Sequence, residues 1–308
     1  MIYLPLMTKE ITFEESVIYW LNTWNNRGAF SKADLLIFLY GLKKYKVYKE
    51  YKVTKLRSNT KLSTLSNRAL SFLEENSFIK LTDYNYYILR TKKYSPLELI
   101  CSVYPYGYIS FSTAMEFYNL IDSDSKNIDF VIPTRIQWKQ YEQSVLDALD
   151  INEEELSLRN FYHSYPSKSI KFNRKKVDFY VSKNLLSFTS LLTNIRVIEI
   201  GSLFLDMLHH NDRCGGFDKV IEVFDNHGVT YINEIIAAAN LYGSNLDKSK
   251  LGYIFEERLG ITHPDIENWK KSCISRGGSR KMISSEPYSD IYSETWCISL
   301  NHSIFTNN

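Results

Sequence analysis

The chain has 308 residues, 44% of them hydrophobic, 15% aromatic and 23% charged, which excludes a disordered or fibrous protein and predicts two folded domains rather than one. The formal net charge of +2 hides an asymmetry: residues 31–93 carry 14 Lys and Arg against 5 Asp and Glu, a net of +9, while the rest carries 23 against 30, a net of −7. The first ten residues lack the basic and apolar regions of a secretion signal, and no apolar run approaches the roughly 20 residues of a membrane span, so a cytoplasmic protein without membrane contact is expected.

In chain order, Thr12–Asn25 places Phe13, Val17, Trp20, Leu21 and Trp24 at helical spacing behind Thr12, with Glu15 completing a capping box. This predicts a helical extension with an aromatic face. Ser31 caps a second helix, Lys32–Tyr45, with Leu35, Leu36, Leu39 and Leu42 on one stripe. The basic, tyrosine-rich segment Lys46–Lys61 reads only as a short helix or turn. A third helix runs from Ser63 or Thr64 to Asn76, with Leu65, Ala69, Phe72 and Leu73 inward and Thr64, Asn67, Arg68 and Ser71 outward. Phe78–Leu81 and Tyr86–Arg90 then alternate on either side of the turn residues Thr82, Asp83, Tyr84 and Asn85, which predicts a hairpin. Helix, helix and hairpin in that order give a winged helix-turn-helix.

The linker Thr91–Pro96 marks a boundary. The expected domains are therefore residues 1–95, the extension and winged helix, and residues 96–308, a larger mixed α/β domain, which together make an α+β chain. Beyond the boundary the pattern predicts a helix at Phe111–Asn119 and strands at Ile128–Pro133, Lys168–Phe172 and Lys176–Val181. Helices follow at Ile200–His210, Phe217–Asn226, Ile232–Leu241 and Lys248–Leu259, and a strand closes the chain near Thr295–Leu300.

In a helix-turn-helix the second helix of the motif meets base edges in the major groove while flanking basic groups grip phosphates. Asn67 is the candidate for adenine and Arg68 for guanine, and Thr64 and Ser71 are within reach of a base or phosphate. Lys55, Arg57, Lys61, Lys80, Arg90, Lys92 and Lys93 are the phosphate candidates. The expected partner is double-stranded DNA.

Cys101, Cys214, Cys273 and Cys297 lie far apart with no CxxC spacing and read as reduced thiols. His209, His210 and Cys214 fall within one helical reach but lack a fourth ligand nearby, so they read as helix-end residues, and neither a metal nor another cofactor is expected.

Further motifs give a family resemblance. Pro105–Ser110 (PYGYIS) followed by Ser112, Thr113, Ala114, Met115, Asn119 and Leu120; Ile195–Val197 leading into Leu203–Leu208 (LFLDML); Cys214–Gly216; Lys250–Glu256 (KLGYIFE); and Thr295–Asn301 (TWCISLN) resemble, in order, motifs of the AbiEi family. These are the antitoxins of type IV abortive-infection toxin-antitoxin systems. Lys250 stands where an arginine is usual, and Asn119 replaces a glycine. The resemblance covers about residues 30–301. It implies a winged helix that binds inverted repeats upstream of its own operon and represses it, and a C-terminal domain that counters a nucleotidyltransferase-like toxin, without a stable complex, during phage defence.

On the residues themselves Asp206 is expected to pair with Arg196 or cap a loop, and Glu256 to pair with Lys250 or Arg258. Two other function classes compete. A DNA-acting nuclease would use Asp178 and Glu199 with Lys183 nearby, but no catalytic motif accompanies them, so a non-enzyme is expected. A protein-interaction module would use the acidic remainder and the tyrosines.

Overall fold

A computed structural model describes residues 9–57, 59–82, 85–122, 125–149, 161–166, 170–172, 174–191, 194–274 and 280–305. The elements up to residue 103 are β1 (Glu10–Ile11), α1 (Phe13–Asn22), β2 (Ala29–Ser31), α2 (Lys32–Tyr45), β3 (Val47–Tyr48), β4 (Tyr51–Val53), α3 (Leu62–Glu75), β5 (Ile79–Leu81), β6 (Tyr86–Leu89) and α4 (Pro96–Val103). Next come β7 (Tyr108–Ile109), α5 (Phe111–Phe117), β8 (Asn127–Pro133), α6 (Arg135–Leu149), β9 (Ile170–Phe172), β10 (Lys175–Ser182), β11 (Phe188–Ser190) and β12 (Arg196–Ile198). The last stretch holds α7 (Ile200–His209), α8 (Phe217–His227), α9 (Ile232–Tyr242), α10 (Asn245–Gly252), α11 (Pro264–Ile274), β13 (Arg280–Lys281), β14 (Tyr292–Ser293) and β15 (Ile298–Ser299). The chain is mixed α/β, with helices and several small sheets.

Contacts divide it into two compact units that interleave along the sequence. The first runs up to Tyr108 and adds 126–185 and 190–196; the second takes 109–125, 186–189 and everything from Val197 onward. These units do not coincide with the segments 1–95 and 96–308.

In the first unit, α1 is part of the core rather than an extension ahead of it. Phe13 and Val17 are fully buried, and Trp20 stacks on Phe38 of α2 and meets Phe30 of β2 edge-on, both at 5.0 Å between ring centroids. The expected capping boxes form at Thr12 with Glu15 and at Ser31 with Asp34. β2 pairs antiparallel with β6 and β6 with β5, so the expected hairpin is completed by a third strand lying between α1 and α2 in sequence. Asp83 and Tyr84 of its turn lie outside the described residues.

The segment expected to be a short helix or turn after α2 is instead a hairpin, β3 and β4, in which Val47 faces Lys52 and Tyr48 faces Tyr51. β1 adds parallel to β4 on the other edge. Val and Tyr favour the pleated, half-buried surface, and here Tyr51 stacks on Tyr19 and Tyr48 meets Phe38 edge-on, so tertiary packing selects the strand.

The first unit also holds β8, β9 and β10. β8 and β10 pair in parallel over seven residues, Asn127–Pro133 with Lys176–Ser182, and β9 joins the end of β10 antiparallel. β8 is buried from Ile128 to Pro133, as expected for a strand covered on both faces. Lys168 and Ser169, expected in the strand before Asn173, lie outside the described residues.

His163 ties this part of the unit to α2. Its Nε2 lies 3.0 Å from Asp34 Oδ1 and its Nδ1 2.8 Å from Glu142 Oε1 on α6, while its backbone N–H donates to Glu142 Oε2 at 2.9 Å. The other Asp34 oxygen accepts from Ser31 N and Oγ at 2.7 and 2.6 Å. One carboxylate therefore both caps α2 and anchors the histidine.

In the second unit Phe204, Phe224, Phe255 and Trp296 are fully buried. α7 packs against α9, Val197 pairs in parallel with Ile109, and β13, β15 and β14 form a small sheet. The expected closing strand is shorter than Thr295–Leu300, because Ser293 Oγ accepts from Trp296 N at 3.1 Å and turns the chain just before β15. Among the described residues no helix is long and apolar enough to cross a membrane.

Candidate nucleic-acid interface

α3 buries Leu62, Leu65, Ala69 and Leu73 on one face, and this spacing leaves Thr64, Asn67 and Ser71 exposed on the other. The helix starts at Leu62, with Lys61 rather than Ser63 or Thr64 in the N-cap position. No side chain caps it and no acidic residue lies in its first turn, whereas α1, α2 and α4 all close with capping boxes. Its N-terminal dipole is therefore not offset by a local carboxylate, a favourable setting for a phosphate.

Arg68 is exposed as well, but it pairs with α1. Its Nε and Nη2 donate to Glu14 Oε1 at 2.9 and 2.5 Å, and its guanidinium lies 4.6 Å over the Phe13 ring. Position 68 borders the buried stripe, so the long side chain reaches the first turn of α1 and its apolar stem is covered there. A guanine contact by Arg68 requires this ion pair to open.

Lys55, Arg57, Lys61, Lys80, Arg90, Lys92 and Lys93 are all exposed. Lys80 sits on β5 and Arg90 directly follows β6. Lys92 lies 4.9 Å over the Tyr94 ring and 4.0 Å from Glu98. Three lysines hold a left-handed backbone: Lys46 at φ 53°, Lys49 at 53° and Lys55 at 59°. Glycine adopts that conformation freely; a residue with a Cβ gives up about 1–2 kcal/mol.

Of the groups considered for catalysis or metal binding, Asp178 and His209 have other side-chain partners. Asp178 pairs with Lys176 at 2.6 Å and faces Asp129 of β8 in register. Glu199 precedes α7 in the second unit, and the Lys183 carbonyl accepts from Gln137 Nε2 at 2.9 Å. His209 Nε2 lies 2.7 Å from Asp247 Oδ1. Burial pushes the Asp247 carboxyl up, but its bonds to His209 and Ser244 outweigh this and hold it at about 2. Among the described residues no group of three or more His, Cys, Asp and Glu is placed to hold a metal.

The short C-terminal motifs meet one another within the second unit. Ser110 Oγ donates to Asp206 Oδ2 at 2.7 Å. A Cβ on Gly252 would lie 2.2 Å from the Trp296 ring, and Trp296 Nε1 donates to Glu256 Oε2 at 2.9 Å. Asn301 closes the 283–287 loop, accepting from Ile283 N at 2.9 Å and donating to the Ile283 and Pro287 carbonyls at 2.8 and 2.9 Å.

The expected ion pairs are replaced. In the first unit Arg196 spends its fork on the carbonyls of Cys101, Tyr104 and Gly107, at 2.6, 2.6 and 2.7 Å. Glu256 takes Lys270 as its cation, and Arg258 pairs with Asp225 at 2.7 Å. Burial raises the Asp206 carboxyl to about 6, despite the Ser110 bond and the charge of His209. A carboxyl raised on folding subtracts stability progressively as pH rises from the ordinary carboxylate range through 6. Asp206→Asn is therefore expected to stabilise the protein by about 1–2 kcal/mol at pH 7.5 and not at pH 4. Thermal melts of both proteins at the two pH values check this; a destabilised variant at pH 7.5 would contradict it.

No protein-family model and no curated protein matches this chain. Among solved structures, the RV2827C protein from Mycobacterium tuberculosis is similar over 93% of this chain and 90% of that one, at 7% sequence identity and a TM-score of 0.45. A likeness at that level carries no argument about function.

Proposed function

We propose that this chain is a DNA-binding regulator and antitoxin of a type IV abortive-infection system, as its resemblance to the AbiEi family implies. The observation that supports the DNA-binding half is the order α1, β2, α2, β3, β4, α3, β5, β6, with three strands paired as β2, β6, β5 and a polar face left open on α3. This order supports a winged helix-turn-helix reading with the β3–β4 hairpin set between its two helices; on that reading α3 enters the major groove and the β5–β6 hairpin and its basic flanks lie along phosphates. On this reading Thr64, Asn67 and Ser71 face base edges. Lys61, Lys80, Arg90 and Lys92 supply phosphate contacts. The operator is an inverted repeat upstream of the chain's own gene, and binding there represses the operon.

The antitoxin half is supported by motifs that run in the family's order and by their mutual contacts, Ser110 with Asp206 and Gly252 with Trp296. On this reading the C-terminal region opposes a nucleotidyltransferase-like toxin indirectly and performs no catalysis itself.

A gel-shift titration with the upstream DNA, set against an unrelated duplex, tests the first half. Wild type is expected to prefer its operator, and Asn67→Ala to lose about 5- to 150-fold of that preference, the 1–3 kcal/mol of one base contact. Equal binding to both duplexes by wild type would sink the reading. Co-expression with the neighbouring toxin gene tests the second half: growth rescued without co-purification supports it, and a stable complex contradicts the indirect mode.

A further inference from the structure

We infer that the β3–β4 hairpin is a second DNA-gripping element, lying on phosphates beside the helix-turn-helix. This rests on the DNA-binding reading above and extends it to residues outside the helix and the β5–β6 hairpin.

Three observations carry it. First, residues 43–57 hold six lysines and one arginine against a single glutamate, and Lys44, Lys46, Lys49, Lys52, Lys55 and Arg57 are exposed. Second, the hairpin is held firmly from beneath while its charges face out. Tyr48 and Tyr51 pack on Phe38 and Tyr19, Val53 is buried, and Val47 is 44% exposed on the unpaired edge of β3. Third, Lys46 and Lys49, which begin the hairpin and make its turn, both keep a left-handed backbone that glycine or asparagine adopts more readily. Local backbone geometry does not ask for lysine at those positions.

Chain continuity places the hairpin near α3. β1, the partner of β4, runs straight into the first turn of α1, where Phe13 and Glu14 hold Arg68 of α3. A polyanion lying along α3 is the partner that this positive edge complements.

The test is the double variant Lys46→Gly/Lys49→Gly, which removes two charges while easing the backbone at both positions, so that folding is favoured; a thermal melt confirms it. Binding of the variant and of wild type to the upstream duplex is measured by anisotropy across a salt series. The variant is expected to reduce the slope of log K against log salt by about 1.8, since each phosphate contact contributes roughly 0.9. Affinity should fall at least tenfold at low salt, with operator preference unchanged and the footprint shortened on one side. A variant with wild-type slope, affinity and footprint overturns the inference; if Asn67→Ala still loses operator preference, the main reading survives that result. Wild type that binds no duplex overturns both.

Discussion

Replacing His163 with leucine is expected to lower the stability of the protein by about 3–5 kcal/mol, the cost of leaving a buried charged group without its partner. Burial by itself would push the His163 imidazolium down. The Asp34 and Glu142 carboxylates on either side outweigh burial and raise it to about 10. Asp34 is likewise pushed up by burial but is held below its ordinary value by His163 and the Ser31 bonds. Folding at neutral pH therefore takes up a proton on His163. The stability it supplies is complete below about pH 6.5, where the unfolded chain is also protonated, and is lost as pH rises toward 10, by at most about 1.4 kcal/mol per pH unit. The Asp34 contribution runs the other way, present above the ordinary carboxylate range and lost as pH falls below it.

Denaturant melts of wild type from pH 5 to 10 should thus show an alkaline decline that the leucine variant lacks, because the variant has already lost what the decline removes. Since Asp34 also closes the capping box of α2, the variant should loosen the N-terminal end of α2, read as faster amide exchange there. A variant within about 1 kcal/mol of wild type, with its alkaline decline intact, would show that the carboxylates find other partners.

The second large effect lies at the meeting of two motifs. Gly252→Ala puts a methyl 2.2 Å from the ring of Trp296, whose side chain is fully buried and has no free end to swing away. Overpacking of that severity is expected to cost about 3 kcal/mol or more, at the upper end for a single added methyl group. Trp296→Phe relieves the clash but loses apolar contact and the indole bond to Glu256, so alone it should cost about 1–3 kcal/mol. The double variant should recover most of the glycine penalty. Strong non-additivity in this cycle would show that the two motifs form one packing unit. Additive losses would show that the strain of Gly252→Ala is taken up elsewhere.

Much of the secondary structure could be read directly from the residues. The aromatic stripe of α1, the leucine stripe of α2, the β5–β6 hairpin and the helices at 200–209, 217–227 and 232–242 follow from period and caps. Three helices escaped, although two carried start signals of the same kind. α4 opens with Ser95, Pro96 and Glu98, a capping box with proline in the first turn, and α6 opens with Thr134 and Gln137 bonded reciprocally. α11, beginning at Pro264, falls where no helix was expected.

The sequence by itself determined which residues are charged and where that charge gathers, and it determined the apolar periods that leave Thr64, Asn67 and Ser71 on the open side of α3. Those properties are local, because a 3.6-residue period and a run of lysines need no distant partner. What only the tertiary structure decided is pairing across the chain. Asp34, Glu142 and His163 stand 21 to 129 residues apart and show no motif. The strand identity of 47–53 depended on Tyr19 and Phe38 arriving beneath it. Arg68, still exposed, pairs with Glu14 across the surface, and Arg196 bonds three carbonyls. In each case several partners were chemically acceptable, and the fold brought only one set within about 3 Å.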